Sequence, residues 1–579
     1  MRKVFRRRNV VMLLLLAVAW AGLTTWLFLD AARRLDRGQD ALNVVRNNIS
    51  PATLLDDSTD DSLDRAGHEF SEARSRLRNP LLTPLRVLPV IGRHVRAADH
   101  VTATSAGATE IAAEGVAELR ELTREPLDEG ADRLRVLGEL ADLMERSHEQ
   151  LSELDPGSPD ALVSSLSDAV VDVTELRDDA LEGLGDGAVA ARALVEVLEG
   201  PRPYLLLGSN NAEMRAGGGM YLSATTLRFD AGTTMLDEVR PTHELLLPPG
   251  TVEAGGDMAA NWPWLDAGRD FRSLGLTADF PQSAEVAARM WEHVPGGEPV
   301  AGVIAVDVEA LRKLIGVVGP VEVDGVSYTV ESVAGQLLRD QYALYGDRDV
   351  RRDRLGEVAR AVFTRFEAGE WSLEDMATAL IDSVQGRHLM IWSVDEEASE
   401  AWAGVGADGH LTDTSLVVSL MNRGANKLDS YVETALDVSA ERTGSGGTAL
   451  TLSYDVTNAS PETGPAYVLG PNIEGMALGE YRGIVVVNLP AGSTDVDIEG
   501  ATPTLVGADG PTVVVGGSVE VQRGQSATIV VTAILPPGVD TVTLEASARL
   551  PRSGLVAGGE ALDGDRRITL DLDRVISGS

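Results

Sequence analysis

The chain has 579 residues, of which 44% are apolar and 24% charged, and it carries a formal net charge of −39. That length suits about three to four domains, and that apolar content is enough to fill globular cores, so a wholly disordered chain is excluded. The acidic balance excludes nucleic acid as a bulk partner, because phosphate backbones demand a dense cationic surface, and the absence of cysteine excludes disulfides, thiol catalysis and cysteine-held zinc.

In chain order, residues 1–9 carry Arg2, Lys3, Arg6, Arg7 and Arg8 ahead of an uncharged run that ends at Leu29. Val10 to Leu29 matches the ~20 residues a helix needs to cross ~30 Å of hydrocarbon. A basic flank of this kind faces the cytoplasm. No small-x-small cleavage site follows, since "FLDAARR" is a poor one. The expectation is a cytoplasmic tail over 1–9 and an uncleaved transmembrane signal anchor over 10–29. The remainder would be extracytoplasmic, on a single-pass protein of the cell membrane.

Residues 30–200 read as helical. Leu134, Leu137, Ala141, Met144 and Leu151 recur mostly at helical steps, and Val116, Leu119 and Leu122 form a similar stripe. In "ELDPGSPDALVSSL" Pro156 and Gly157 stop one helix, while Ser158 and Pro159 open the next. "NPLLTPLRVLPVIG", Asn79 to Gly92, holds three prolines and cannot be a regular helix. Between touching a membrane and packing on the core, packing is the expectation. The region reads as a spacer or a helical hairpin bundle.

From 201 to 425 strands and helices interleave, which argues an α/β or α+β core. "YLLLG" is a buried strand and "YLSATTLRFDAG" its hairpin partner. "DFPQSAEVAARMWEHV" is a capped helix, and "VAGVIAVDVEALRKLIGVVGPVEV" is strand, helix, strand. From 426 to 579 helix signals vanish. "TALTLSYDVTN" alternates Leu450, Leu452, Tyr454 and Val456, and further short strands separated by Gly/Pro turns give a β-sandwich.

The candidate site centres on "YLLLGSNNAEMRAGGGMY", Tyr204 to Tyr221. Amides of a glycine-rich turn can point at an anion, and Arg215 sits in this one. The Gly-Lys-Ser/Thr ending of a nucleotide loop is missing. Arg351 and Arg354 lie three apart at a helix start, on one face and beside free N–H groups. Arg269 and Arg272 form another pair next to Asp270. Were these to converge with Asn210 and Asn211, they would hold a pyrophosphate or another polyanion. Otherwise the glycines make a tight structural turn, and the arginines pair with nearby Asp270, Asp349 and Asp353. The eight histidines show no metal-ligand spacing, no G-x-S-x-G elbow is present, and nothing selects a catalytic carboxylate pair. No catalytic residue and no metal ligand is assigned.

The stretch at Tyr204, the following "DFPQSAEVAARMWEHVPGGEPVAGVIAVDVEALRKLIGVVGPVEV", and "NKLDSYVETALDV" with "YVLGPNIEG" resemble, in the same order over roughly residues 200–475, the bacterial domain of unknown function 4012 family. That resemblance implies an anchored cell-envelope protein without an established activity. More distantly the core is similar to the LytR-CpsA-Psr enzymes, which move glycopolymers from a polyprenyl-pyrophosphate carrier to peptidoglycan. Their Gly-Ser-Asp becomes Gly208-Ser209-Asn210 here. Their Arg-Ser-Asp becomes Arg215-Ala216-Gly217. Their Arg-x-x-Arg-Gln-Gln becomes Arg351 and Arg354 followed by Leu355 and Gly356. The resemblance implies Mg²⁺ as cofactor, but the acids that would hold it are replaced, so no cofactor is assigned. The anion-site candidates are therefore Asn210, Asn211, Arg215, Arg269, Asp270, Arg351 and Arg354. The expected function is that of an envelope scaffold or binding protein. The alternative is LytR-CpsA-Psr-like binding or transfer of lipid-pyrophosphate-linked glycopolymers. Expected partners are the membrane and either polyprenyl-pyrophosphate glycans or a wall polymer.

Overall fold

A computed structural model of the chain describes the backbone of residues 2–46, 51–54, 56–124, 127, 129–344, 348–444 and 446–578, and within these all side chains except those of 2–17, 46, 51, 52, 57, 348–353, 577 and 578. The chain divides into two compact units, residues 1–125 with 135–192 and residues 126–134 with 193–579.

The first unit is helical. Helix α1 (Arg2–Arg46) pairs with α2 (Asp57–Leu77), and α3 (Ile91–Thr123) packs beside α2. The side chain of Asp56 caps α2 by accepting from the Ser58 amide. Ala31 packs with Ala73 and Leu77, and Ala41 packs with Ala66 and Phe70. Gly38 admits the Phe70 ring, because a Cβ there would lie 2.4 Å from it. Arg34 bridges Asp30 and Glu69, and Arg76 reaches Asp30 from the other helix. Ala97 and Val101 of α3 pack against Val170 and Val173.

Two expectations are corrected here. Among the described residues no helix is long and apolar enough to cross a membrane. This overturns the anchor over 10–29, and with it the single-pass membrane location. The physical reason lies in α1 from residue 18 onward; the side chains of 10–17 are outside the described residues. Trp20 donates to the carbonyl of Leu81 at 3.0 Å, and Thr24, Leu27 and Ala31 are buried. The helix then continues past Leu29 into the ion-paired segment around Arg34. The buried positions among these thus serve packing within the helical unit, while Val18, Leu23, Trp26 and Leu29 are exposed. The second correction concerns Asn79 to Gly92, which was expected to pack. Only Leu82 and Gly92 are buried in that stretch, while Val87 and Val90 are 79% and 68% exposed.

The second unit begins with a mixed sheet in the order β3-β2-β1-β4-β5. Strands β1 (Pro203–Arg215) and β2 (Gly218–Asp230) form a hairpin, and β3 (Thr233–Leu236) extends it. Strand β4 (Gly302–Val306) runs parallel to β1, and β5 (Leu389–Ser393) closes the sheet antiparallel to β4. Leu205 and Leu207 of β1 pack with Ala284, Ala287 and Trp291 of the helix Phe280–Trp291. The helices Val308–Val318, Arg348–Glu367 and Leu373–Gln385 share a second cluster around Ile315, Val358 and Met376. Asp307 caps the first of these by accepting from the amides of Glu309 and Ala310.

The remaining chain forms two six-stranded sheets. One runs in the spatial order Thr494–Glu499, Ser526–Leu535, Thr448–Asn458, Val432–Arg442, Gly554–Ala557, Glu560–Leu562. The other runs Thr502–Asp509, Thr512–Val521, Tyr481–Leu489, Ser415–Asn422, Thr541–Leu544, Ile568–Asp571. Their inner faces share one core: Val438, Leu452 and Val456 from the first meet Val418, Val485 and Val519 from the second. This is a β-sandwich, with inward residues alternating as in Leu450, Leu452, Tyr454 and Val456. The sandwich meets the mixed sheet through Ala216, Trp262 and Leu276 against Met421, Ile484 and Val514.

At this junction Asp429 and Arg549 form an ion pair at 3.2 Å with both side chains 0% exposed. Arg549 also donates to the carbonyls of Leu420, Asp429 and Val432. Removing one partner strands a buried charge. Asp429→Ala is expected to lower unfolding free energy by ~3–5 kcal/mol in urea titrations. A loss under about 1 kcal/mol would show the pair to be dispensable.

Candidate functional site

A cavity of about 540 Å³ lies in the second unit, lined from β1, the turn Asp270–Ser273, residues 341–342, residues 422–427 and Tyr467. The hairpin shapes its floor. The register shift at Gly208/Ser209 leaves Leu222 extra on β2, the one between Asn210 and Met214 leaves Asn211, Ala212 and Glu213 extra on β1, and such bulges re-aim side chains. Asn210, Glu213 and Arg215 line the cavity as a result.

The glycine run lets the backbone close. A Cβ on Gly219 would lie 2.6 Å from the Asn210 backbone, and one on Gly217 would lie 2.6 Å from the Thr277 carbonyl oxygen. The Gly217 amide already donates to Gly275. Gly218 has φ +124°, which L side chains rarely adopt.

Of the residues expected from sequence, Asn210, Arg215 and Asp270 meet at the cavity. Asn210 accepts from the Ala212 amide at 2.8 Å and donates to the Tyr342 hydroxyl at 3.3 Å. Asp270 is held by the fork of Arg272, with its closest contact at 2.6 Å. Asn211 lies elsewhere: it is buried, donates to Asp307 at 2.7 Å and to the Ala548 carbonyl at 2.8 Å, and accepts from the Val308 amide. Arg269 donates to the Leu247 carbonyl and does not line the cavity. Arg354 is also away from it, bound to Asp324 at 3.1 Å and Glu357 at 3.3 Å. The side chain of Arg351 is outside the described residues.

Sequence reasoning missed Gln341, Tyr342, Arg423, Lys427 and Tyr467, all of which line the cavity. One signal was present: Lys427 is one of only three lysines, in the motif "NRGANKLD". Its buried ammonium pairs with Glu213 and lies 5.7 Å from the ring centroids of both Tyr342 and Tyr467. Burial alone would lower its pKa, but Glu213 and the two tyrosines outweigh that and hold it above the usual lysine value.

Two guanidiniums stand differently. Arg215 donates from one nitrogen to the carbonyls of Met214 and Asn422, and among the described residues no carboxylate pairs with it. Burial pulls its pKa down; Glu213 offsets part of this and Arg423 adds to it. Arg423 is half-buried, its side chain has no hydrogen bond or ion pair among the described residues, and burial lowers its pKa as well. With His243 neutral, the lining holds four cations (Arg215, Arg272, Arg423, Lys427) against two carboxylates (Glu213, Asp270). The lining therefore carries a formal excess of two positive charges. Among the described residues no group of three or more His, Asp or Glu is placed to hold a metal ion.

Behind the cavity, Asn211 joins a buried chain in which His388 bridges Asp307 at 2.6 Å and Asp565 at 2.8 Å. Burial would lower the imidazole pKa, but the two carboxylates prevail and raise it to about 9. A raised pKa stabilises the fold fully below the unfolded value near 6.5, and that contribution is lost as pH rises through about 9. Chemical denaturation between pH 6.5 and 9.5 is expected to show a decline on the order of 3 kcal/mol. Asp565→Asn is expected to start that decline at lower pH. A flat profile in the native protein would contradict the assignment.

Residues 199–342 match the model of a family described as Protein of unknown function (DUF4012). The match covers the hairpin and reaches Gln341 and Tyr342, and it leaves Arg423, Lys427 and Tyr467 outside. Searches of curated proteins and of solved structures returned no match, so the LytR-CpsA-Psr resemblance gains no support from them.

Proposed function

We propose that this is a binding protein whose cavity captures an organic anion, with Arg215 and Arg423 receiving the anionic group. The observation behind this reading is the presence of two guanidiniums, without carboxylate partners among the described residues, on one cavity wall. A desolvated cation without a counter-charge costs free energy, and an incoming anion would remove that cost. Guanidinium forks also match carboxylate and phosphate oxygens in pairs. At about 540 Å³ the cavity falls within the range of small-molecule sites.

Transfer of lipid-pyrophosphate-linked glycopolymers is the less favoured reading. It would use Arg354 on the pyrophosphate, whereas that side chain is occupied by Asp324 and Glu357. A pure scaffold would not need cations left without partners inside a cavity. The anion-binding reading accounts for both facts.

Calorimetric titration of the full chain with inorganic pyrophosphate, phosphate and citrate at low salt tests it. At least one anion is expected to bind saturably. Arg215→Gln and Arg423→Gln are each expected to weaken binding by roughly tenfold or more. Thermal unfolding of Arg423→Gln is expected at or above the native temperature, because the substitution removes an unpaired charge. Absence of saturable binding at ~10 mM of every anion, a concentration that still detects millimolar affinity, would defeat the reading. So would binding that both variants leave intact.

A further inference from the structure

Four neutral or cationic groups on the cavity wall lack partners, and together they describe what the occupant must carry. Arg423 has no partner among the described residues. Gln341 is 5% exposed; its amide nitrogen donates to the Leu337 carbonyl, while its Oε1 is buried with no hydrogen bond among the described residues. The hydroxyls of Ser223 and Ser273 line the same cavity, and neither makes a hydrogen bond to another described residue. A buried acceptor left unmade costs about 1–3 kcal/mol, so Oε1 calls for a donor from the occupant. Sulfate at neutral pH brings no donor. An alcohol does.

The charges narrow the anionic part. Four cations against two carboxylates leave two positive charges without protein counterparts. A phosphate monoester carries close to two negative charges at pH 7, because its second pKa is near 6. A monocarboxylate or a sulfate ester carries one. The volume narrows the organic part. About 540 Å³ is many times the ~30 Å³ that a single water occupies in the liquid, so a bare phosphate would leave most of the space open. At the outer wall Tyr342 and Tyr467 sit with ring centroids 6.0 Å apart, and Tyr467 and Ile473 are exposed there. That is an apolar face for one ring. Besides the two tyrosines the lining holds the imidazole of His243 as its other ring, and the remainder offers amides, hydroxyls, charged groups and aliphatic side chains.

We infer that the occupant is a sugar phosphate, its dianionic phosphoryl group on Arg215 and Arg423 and its hydroxyls on Gln341, Ser223 and Ser273. This deepens the proposed anion-binding function and rests on it.

The test is calorimetric titration of the full chain at pH 7 with hexose 1-phosphates and 6-phosphates, glucose 6-sulfate, ethyl phosphate, inorganic phosphate, unphosphorylated glucose and adenosine monophosphate. At least one hexose phosphate is expected to bind tenfold or more tightly than inorganic phosphate, ethyl phosphate and glucose 6-sulfate. Its affinity is expected to fall about tenfold from pH 7 to pH 5 as the phosphoryl group takes up a proton. Gln341→Met is expected to weaken the hexose phosphate at least fivefold and to leave ethyl phosphate within twofold. Should Gln341→Met fail to fold, Ser273→Ala serves for the same comparison. If phosphate and ethyl phosphate bind through Arg215 and Arg423 as well as any hexose phosphate does, the sugar assignment is overturned while anion binding stands. Tighter binding of adenosine monophosphate overturns it in the same way. If no anion binds at all, both fall.

Discussion

The carboxylate of Asp429 sits where the mixed sheet, the sandwich and the cavity come together, and it is wholly buried. One oxygen accepts from Arg549 and from the Tyr481 hydroxyl at 2.8 Å; the other accepts from the Met214 amide at 3.0 Å and from Asn422 at 2.8 Å. A carboxylate in such surroundings must have its lone pairs filled, and filling them fixes four segments at once. Met214 precedes Arg215, and Asn422 precedes Arg423, so the spacing of the two cavity guanidiniums follows from this single group. Tyr481 in turn is held neutral by burial, with the Asp429 charge adding to the effect. The cavity is therefore a by-product of how one charge is buried.

That dependence explains which parts were legible in the sequence. Alternation in Leu450, Leu452, Tyr454 and Val456 marks a strand because one face of it fills a core, and the period carries that information locally. The hairpin was legible in the same way: apolar Tyr204 to Leu207 and the alternating residues after Tyr221 flank a glycine turn. Asn210 and Arg215 were visible for the same reason, since they lie on the hairpin itself. Arg423 and Lys427 were not. They come from the start of the sandwich and meet the hairpin through contacts such as Lys427 with Glu213 and Asp429 with Met214, over a separation that no local period records. Arg354 shows the opposite failure. Its place on a helix was legible from the spacing, but Asp324, thirty positions earlier, claims its guanidinium. The membrane anchor failed because hydropathy alone does not distinguish lipid from a neighbouring helix; Leu27 and Ala31 are buried, and Ala31 packs against Ala73 and Leu77.

The cavity also shows a balance between stability and binding. Lys427 and Arg272 are neutralised by Glu213 and Asp270, so they shape the wall at little electrostatic cost. Arg215 and Arg423 are left desolvated and facing each other's charge. Functional sites commonly retain such local conflicts, which the rest of the fold outweighs. Here the outweighing structure is close by: the Arg549 pair on one side and the His388 bridge on the other.

Asn211 donates to the carbonyl of Ala548, a partner 337 positions further along the chain, and His388 is bridged to Asp565. Closing loops of this length is slow, and contacts this remote form late. During synthesis the hairpin emerges well before the strands that seat it, and domains mature as their last elements arrive. The buried network behind the cavity is thus complete only once residues 548 and 565 have joined it. A product ending before residue 548 would carry the matched segment 199–342 while lacking the carbonyl that seats Asn211.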